Sequence, residues 1–600
     1  MDHETATPGQ PEPRLDGDWQ NLPAMMLGLA ARWPDRVLAR YWRDDAWQTL
    51  RWGDFANQVA QAASGLRRLG VTAGDRVLLV SDNRPEFLIA DNAIMAIGAI
   101  TVPTYTTNTV ADHAHVLRDC GARVALVADG GIENAVVLAA AQVDGLDAVV
   151  NMATNPGAVV SKPPDGATPA SMLEAHGRVG QKVSWDALLV ADADPAVLMA
   201  EIEHIPPGRL ACLIYTSGTG GAPKGVMLPH RALLSNAAGA LPLLRRLELD
   251  GERYLSFLPM SHSYEHTVGG FILPMMGMEV VFSRGAEKLL AEMAEFRPAI
   301  ITTVPRLFEV MRARIEALVA KQSSLRQALF QRAMALGLRK LDGPPLGLLD
   351  KAQDWALDRL VRNKMRARFG GNLRAFISGG ARLDPDLSSF FLALGLPVIQ
   401  GYGQSEAGPV VSVNLPWSND RRTVGLPLPG VEARIAEDGE LLLRGGLVMD
   451  GYWNNPQASA ETLQDGWLHT GDVARIDEAG RISITDRKRD FIKLVGGDMV
   501  APAKLEALLM ADPAIMQAIV AGEGQSGILA LVVPADGMAD KVEAAIKAVN
   551  AKLSAIERIR RWQALDEPFT IENGLLTASM KVRRRAVVER HAEVLRALQK

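Results

Sequence analysis

The sequence predicts an α/β protein, with a large N-terminal domain of layered sheets and helices and a small α+β domain at the C-terminal end. Three observations predict it. Short apolar runs alternate with helical patterns through the first third, as βαβ units and largely parallel sheets require. The apolar fraction is 48%, enough for a large packed core and too high for a disordered chain. A charged stretch, Asp486-Arg487-Lys488-Arg489-Asp490, precedes a tail with a strand pattern of its own.

In chain order, residues 1–20 are polar, Pro-rich and partly acidic and are expected to form a flexible tail. They hold no apolar stretch of the kind a secretory signal needs. The large domain is expected over residues 21–486. Phe55, Val59, Ala62, Leu66 and Leu69 recur at helical spacing just before Arg76–Val80, which reads as a strand. Strand-like runs follow at Ala99–Val102 and Arg123–Ala128, with Val110–Cys120 helical between them. Residues 153–185 are rich in Pro, Gly, Ser and Ala and are expected to form a surface loop. The small domain, 487–600, carries the strand Ile528–Val533 and the helix Met538–Leu553.

Composition excludes several classes. A formal charge of −5 on 600 residues gives no global field that favours nucleic acid. Cys120 and Cys212 are the only cysteines, which is no disulfide framework and suits a reducing cytosol. No uninterrupted apolar stretch reaches the length of about 18 residues that spans a bilayer. A cytoplasmic protein is expected, with the inner face of the membrane as the one peripheral surface in reach.

Residues 311–369 stand apart. They lack β patterning and hold thirteen basic residues against five acidic ones, Glu316, Asp342, Asp350, Asp354 and Asp358. Gly343-Pro344-Pro345 divides them into two helical halves. Such a segment is most often a solvated helical hairpin; the functional alternative is a surface attracted to anionic headgroups.

The segment Leu210–His230 carries the most chemistry. An apolar strand, Leu210–Tyr215, enters Thr216-Ser217-Gly218-Thr219-Gly220-Gly221, and Lys224 closes this loop before the strand Val226–Leu228. Small residues let backbone N–H groups converge on phosphate oxygens, hydroxyls add donors, and a lysine adds charge. A Walker A loop would open a helix after its GK[ST], whereas Lys224-Gly225 leads into a strand. Further on, Leu396–Glu406 reads as a strand breaking at Gly401-Tyr402-Gly403. It offers an aromatic face for a purine and then a polar cluster ending in one carboxylate. In Trp467–Lys493, a polar strand enters Thr470-Gly471-Asp472, and a hairpin turns at Asp477–Gly480. Glu572–Arg583 places Lys581 after a Gly-containing segment near the C-terminus.

Taken together, these segments resemble the adenylate-forming (AMP-binding) superfamily, and within it the long-chain fatty acyl-CoA synthetases. The likeness runs from about residue 25 to 595. It departs at Gly220, where the family usually has a second threonine, so Gly220 is assigned no phosphate contact. The resemblance implies roles for single residues. Thr216, Ser217, Gly218, Thr219 and Lys224 would bind the phosphates. Gly380 and Ala381, in Ser378–Ala381, would lie along the adenine, with Gly401, Tyr402 and Gly403 forming the other purine wall. Ser405 would meet the α-phosphate, Glu406 with Thr216 would hold Mg²⁺, and Asp472 and Arg487 would take the ribose. Lys581 would be the catalytic lysine of adenylation, and Lys493 would face the nucleotide in a second pose of a mobile C-terminal domain. Arg489 would be the hinge, and Gly496 and Gly497 would leave a path for the thiol arm of coenzyme A. His262, in Leu258–Glu265, would line and gate the acyl pocket, although a lone histidine is more often a satisfied structural residue.

The expected function is AMP-forming ligation of a long-chain fatty acid to coenzyme A, with ATP and Mg²⁺. The basic helical insertion and the ending ENGLLTASMK resemble the long-chain branch. Two alternatives stay open: an acyl-carrier-protein ligase, and an inactive acyl-adenylate-binding scaffold on membranes. Expected partners are the fatty acid, ATP and CoA, without nucleic acid. Peripheral membrane contact through the insertion and a homodimer are both compatible with the sequence.

Overall fold

A computed structural model describes the chain except residues 1–18, 154–171, 173, 176, 217–221, 489–491, 497, 571–572, 577–581 and 600. Two large sheets organise the N-terminal part. The first has seven strands in the order Val179–Ser184, Leu146–Asn151, Val124–Val127, Arg76–Val80, Ile100–Thr104, Leu210–Thr216 and Lys224–Pro229. All its neighbours are parallel except the last pair. The second has nine strands. Val37–Arg43, Glu279–Phe282, Arg253–Ser256, Ile300–Thr303, Ala375–Ser378 and Val398–Gly403 form its parallel centre, and antiparallel strands extend it at both edges.

The core lies between these sheets. The helix Pro85–Ala96 is buried along its whole length, so its sequence PEFLIADNAIMA shows no polar face. Leu79 of the first sheet, Phe87 and Leu88 of this helix, and Tyr254 and Val280 of the second sheet belong to one cluster. The buried polar residue Asp91 stands 3.0 Å from Nε2 of the equally buried His266.

Several expectations hold closely. Arg76–Val80 is a strand, Trp52–Arg68 is the helix before it with Phe55, Val59, Ala62 and Leu66 buried, and Val110–Cys120 is helical. Thr109 and Asp112 close a capping box at the start of that last helix. Others need correction. The end of the expected loop at 153–185 is an ordered strand, Val179–Ser184, running into a short helix, Trp185–Leu188. Its polar, glycine-containing sequence suits an edge position exposed on one side. The strand expected to break at Gly401-Tyr402-Gly403 instead continues through Gly403, because Gly401 and Tyr402 pair with Val413 and Ser412. A Cβ at Gly401 would meet Ser412 O at 2.9 Å, and one at Gly403 would meet Pro409 O at 2.1 Å. Both glycines allow a close approach between strands.

The insertion also differs from two halves. It begins at Pro305, and its helices are Pro305–Ala320, Ser324–Asp342, Leu348–Leu357 and Asn363–Arg368, with a π-turn at Asp358–Arg362. Much of its charge is internally paired. Arg362 is buried, donates to Asp354 and reaches the carbonyls of Ala333 and Ala393.

A five-stranded antiparallel sheet follows, containing Glu440–Arg444, Trp467–Ile476 and Ile482–Arg487. The last part holds a three-stranded sheet, Ile515–Ala521, Ile528–Pro534 and Ile559–Ala564, backed by the helices Pro502–Met510 and Val542–Asn550.

Candidate active site

A cleft of about 2370 Å³ gathers most of the expected site residues. Thr216 and Lys224 are cross-strand partners at the open end of one antiparallel pair, so strand register alone puts hydroxyl and ammonium side by side. Ser217, Gly218 and Thr219, which join them, lie outside the described residues.

Across the cleft, the strand ends at Gly403, Gln404 caps one 3₁₀ turn at Ser405–Ala407, and Gly408 at φ +69° closes it. Asn236 holds this turn from both sides. Its amide donates to Ala407 O at 3.2 Å, and its carbonyl accepts from Val410 N at 2.7 Å. Ser405 Oγ sits 2.8 Å from Ser263 Oγ. Glu406 Oε1 accepts from the Tyr452 hydroxyl at 2.9 Å, and Lys224 Nζ lies 4.8 Å from the centre of the Tyr452 ring. Tyr452 therefore touches both the lysine expected at the phosphates and the carboxylate expected at the metal.

Asp472 is nearly fully buried in the strand Trp467–Ile476. One of its carboxylate oxygens accepts from Tyr402 Oη at 2.5 Å and the other from Arg487 Nε at 3.1 Å. Burial, and then the Asp472 charge, push the Tyr402 phenol well above its ordinary value, so it stays a donor. Glu440 on the neighbouring strand fixes the backbone beside Asp472 by accepting from Gly471 N at 2.7 Å. Burial raises the Glu440 carboxyl, but hydrogen bonds from Lys488, Gly471 and His469 outweigh it and hold the group below its usual range.

Gly380 and Ala381 line the same cleft, Gly380 at φ +78°. The preceding Gly379 lies flat on Tyr264, where a Cβ would meet ring carbon at 3.0 Å. His262 lines the cleft and caps the helix Ser263–Thr267, its Nδ1 accepting from Tyr264 N at 3.1 Å. Directly behind it Glu265 is completely buried. Its carboxyl accepts from Tyr254 Oη at 2.6 and 2.7 Å, Ser256 Oγ at 2.6 Å and Thr302 Oγ1 at 2.9 Å. Burial raises Glu265 to about 7 against those hydrogen bonds. One wall of the cleft is apolar, with Ala240, Leu243, Leu244, Val268, Ile272 and Leu273.

Lys493 and Gly496 are exposed and are not among the residues that line the cleft. Lys493 instead pairs with Met499 and donates its backbone N–H to Glu523 at 2.9 Å. Arg489, Gly497 and Lys581 lie outside the described residues. Beside Lys581, Leu576 and Val582 form an antiparallel bridge and both line the cleft.

Sequence reasoning missed Ser263, Glu440, Tyr452 and the apolar wall. Ser263 and Glu265 fall inside the singled-out segment Leu258–Glu265, but Glu440 and Tyr452 reach the site only through sheet pairing and a turn.

Residues 29–453 match the family described as AMP-binding enzyme, and residues 489–600 match the AMP-binding enzyme C-terminal domain. The chain belongs to the AMP-binding enzyme family. It is 36% identical, over 98% of its own length and 98% of the other's, to the long-chain-fatty-acid–CoA ligase FadD15 of Mycobacterium tuberculosis. It is 29% identical to fatty acyl-CoA synthetase A of Dictyostelium discoideum, covering 90% of this chain and 84% of that one. Among solved structures, the O-succinylbenzoate coenzyme A synthetase of Bacillus subtilis in complex with AMP superposes with a TM-score of 0.67 at 21% identity. That match covers 94% of this AMP-binding enzyme and 98% of the other chain, a likeness that shows the fold.

Proposed function

We propose that this AMP-binding enzyme is a long-chain fatty acid–CoA ligase. The acid's carboxylate oxygen attacks the α-phosphorus of ATP, diphosphate leaves, and an acyl-AMP remains. The thiolate of coenzyme A then attacks the acyl carbon, and AMP leaves with the electron pair of the broken C–O bond. The observation that carries the reading is that one cleft joins an apolar wall to Thr216, Lys224, Ser405, Glu406 and Asp472. Near end-to-end identity to a named long-chain ligase supports the acid class.

The residues then divide the work. Asp472, held by Tyr402 and Arg487, accepts hydrogen bonds from the ribose hydroxyls. Tyr402 and the flat Gly379-Gly380 turn bound the adenine. Thr216, Lys224 and Ser405 face the phosphates, where fixed donors stabilise developing negative charge. Glu406 and the Thr216 hydroxyl make an all-oxygen donor set with one carboxylate. That suits magnesium, which usually takes one or two carboxylates plus substrate phosphates. The ion would supply charge neutralisation at the phosphates.

Lys581 would complete adenylation, its ammonium lying between two anions that repel. The bridge at Leu576 and Val582, on the cleft wall, supports this placement. Lys493, Gly496 and Gly497 would serve the second step after residues 487–600 pivot at Arg489. The position of Lys493 outside the cleft supports two poses rather than one.

A screen of acids against acceptors, with ATP and Mg²⁺, tests the reading. Diphosphate release and thioester formation are expected with long-chain acids and coenzyme A. Turnover only with short or aromatic acids, or transfer only to a carrier protein, would replace it.

A further inference from the structure

The helix Leu348–Leu357 is inside out for a helix in water. Its acidic residues point to protein: Asp354 is buried against Lys340 and Arg362, and Asp350 pairs with Arg332 and Arg339. Leu357 packs inward, but its three other large apolar residues point outward, with Leu348 86%, Leu349 83% and Trp355 61% exposed. Leu348, Ala352, Trp355 and Arg359 follow one another at helical spacing, so they share one face. Arg359 lies 4.4 Å over the Trp355 ring, and exposed Leu360 continues the patch. Soluble chains rarely leave contiguous apolar surface of this kind without a partner.

Charge says what the partner is. All six acids of the insertion are ion-paired: Glu309 with Arg306, Glu316 with Arg312, Asp342 with Arg421, Asp350 and Asp354 as above, and Asp358 with Arg366. Among the described residues, Lys351, Arg359, Lys364 and Arg368 have no acidic partner, and all four are exposed. The face therefore combines two leucines and a tryptophan with uncompensated cations, the combination that enters an anionic headgroup layer. The insertion itself is firmly seated. Gly337 lets the helix Ser324–Asp342 lie against Ala393, where a Cβ would come within 2.5 Å of backbone oxygen.

We propose that this face docks the enzyme on an anionic lipid surface. Leu348, Leu349 and Trp355 enter the headgroup layer, and Lys351 and Arg359 meet the lipid phosphates. The proposal rests on the exposed face and not on the identity of the acid.

The test is flotation of the full chain with vesicles of phosphatidylcholine alone or mixed with phosphatidylglycerol, at low and high salt. Binding to the mixed vesicles is expected, weakening as salt rises. The triple variant Leu348→Ser, Leu349→Ser, Trp355→Ser should bind on the order of tenfold more weakly. Lys351→Gln with Arg359→Gln should lose the preference for anionic vesicles. Acyl-CoA formation from dispersed acid and the melting temperature should stay as in the wild type, because these side chains lie outside the cleft. The single variant Trp355→Ser, read the same way, covers the case of a misfolded triple. Failure of the wild type to float with anionic vesicles would overturn the proposal, as would undiminished flotation of the variants. A dimer in sedimentation velocity that the triple variant splits, without vesicle binding, would make the face a self-association surface instead.

Discussion

The Tyr452 hydroxyl donates to Glu406 Oε1 at 2.9 Å, while the Tyr452 ring sits beneath Lys224. One side chain thus sets the distance between a cation on the first sheet and a carboxylate beyond the second. Tyr452→Phe keeps the ring and removes the hydrogen bond. The expected result is a higher magnesium requirement and a maximal rate lower by about tenfold, roughly 1.4 kcal/mol in the barrier. Diphosphate release titrated against Mg²⁺ measures both, and an unchanged Mg²⁺ curve would remove Tyr452 from this role.

Asp472 connects Tyr402 and Arg487, so its loss should be felt in nucleotide binding first. Asp472→Ala should weaken ATP binding by about 1.5–3 kcal/mol, the scale of hydrogen bonds to a charged group. Calorimetric titration with ATP measures it. Equal affinity in variant and wild type would place the ribose elsewhere.

Glu265 supplies a pH dependence of stability. Its carboxyl is raised to about 7 in the fold from an ordinary 4.5. Between these values the folded chain holds a proton that the unfolded chain has lost, so stability is greatest below the lower value and falls as pH rises through the upper one. The span corresponds to an effect on the order of 3 kcal/mol. Glu265→Gln should flatten this slope, read as melting temperature against pH for both proteins. Parallel curves would show that Glu265 does not titrate in this window.

The two half-reactions should separate by residue. Lys581→Ala should nearly abolish acyl-AMP formation and leave thioester formation from supplied acyl-AMP largely intact. Arg489→Pro, which fixes φ near −65°, should do the opposite. Equal loss of both steps in either variant would contradict the assigned role.

Local pattern made much of this legible. Phe55, Val59, Ala62 and Leu66 mark a buried helical face by spacing alone, and the small and hydroxyl residues between Thr216 and Lys224 give the expectation of a phosphate loop by composition. What stayed hidden depends on contacts distant in sequence. Glu440 reaches Gly471 through antiparallel pairing, and Tyr452 lies 46 residues beyond Glu406. The insertion misled for a related reason. Counting charges reveals an excess of cations, but only the fold shows that Arg362 is buried on Asp354 and that Leu348, Leu349 and Trp355 face outward.

The most direct measurement follows a labelled long-chain fatty acid through a single turnover with ATP and Mg²⁺, first without and then with coenzyme A. Without it, acyl-AMP should accumulate on the enzyme with an equal amount of diphosphate. On adding coenzyme A, the label should move to the thioester as AMP appears. ADP and phosphate in place of AMP and diphosphate, or a thioester formed with no acyl-AMP before it, would contradict the account.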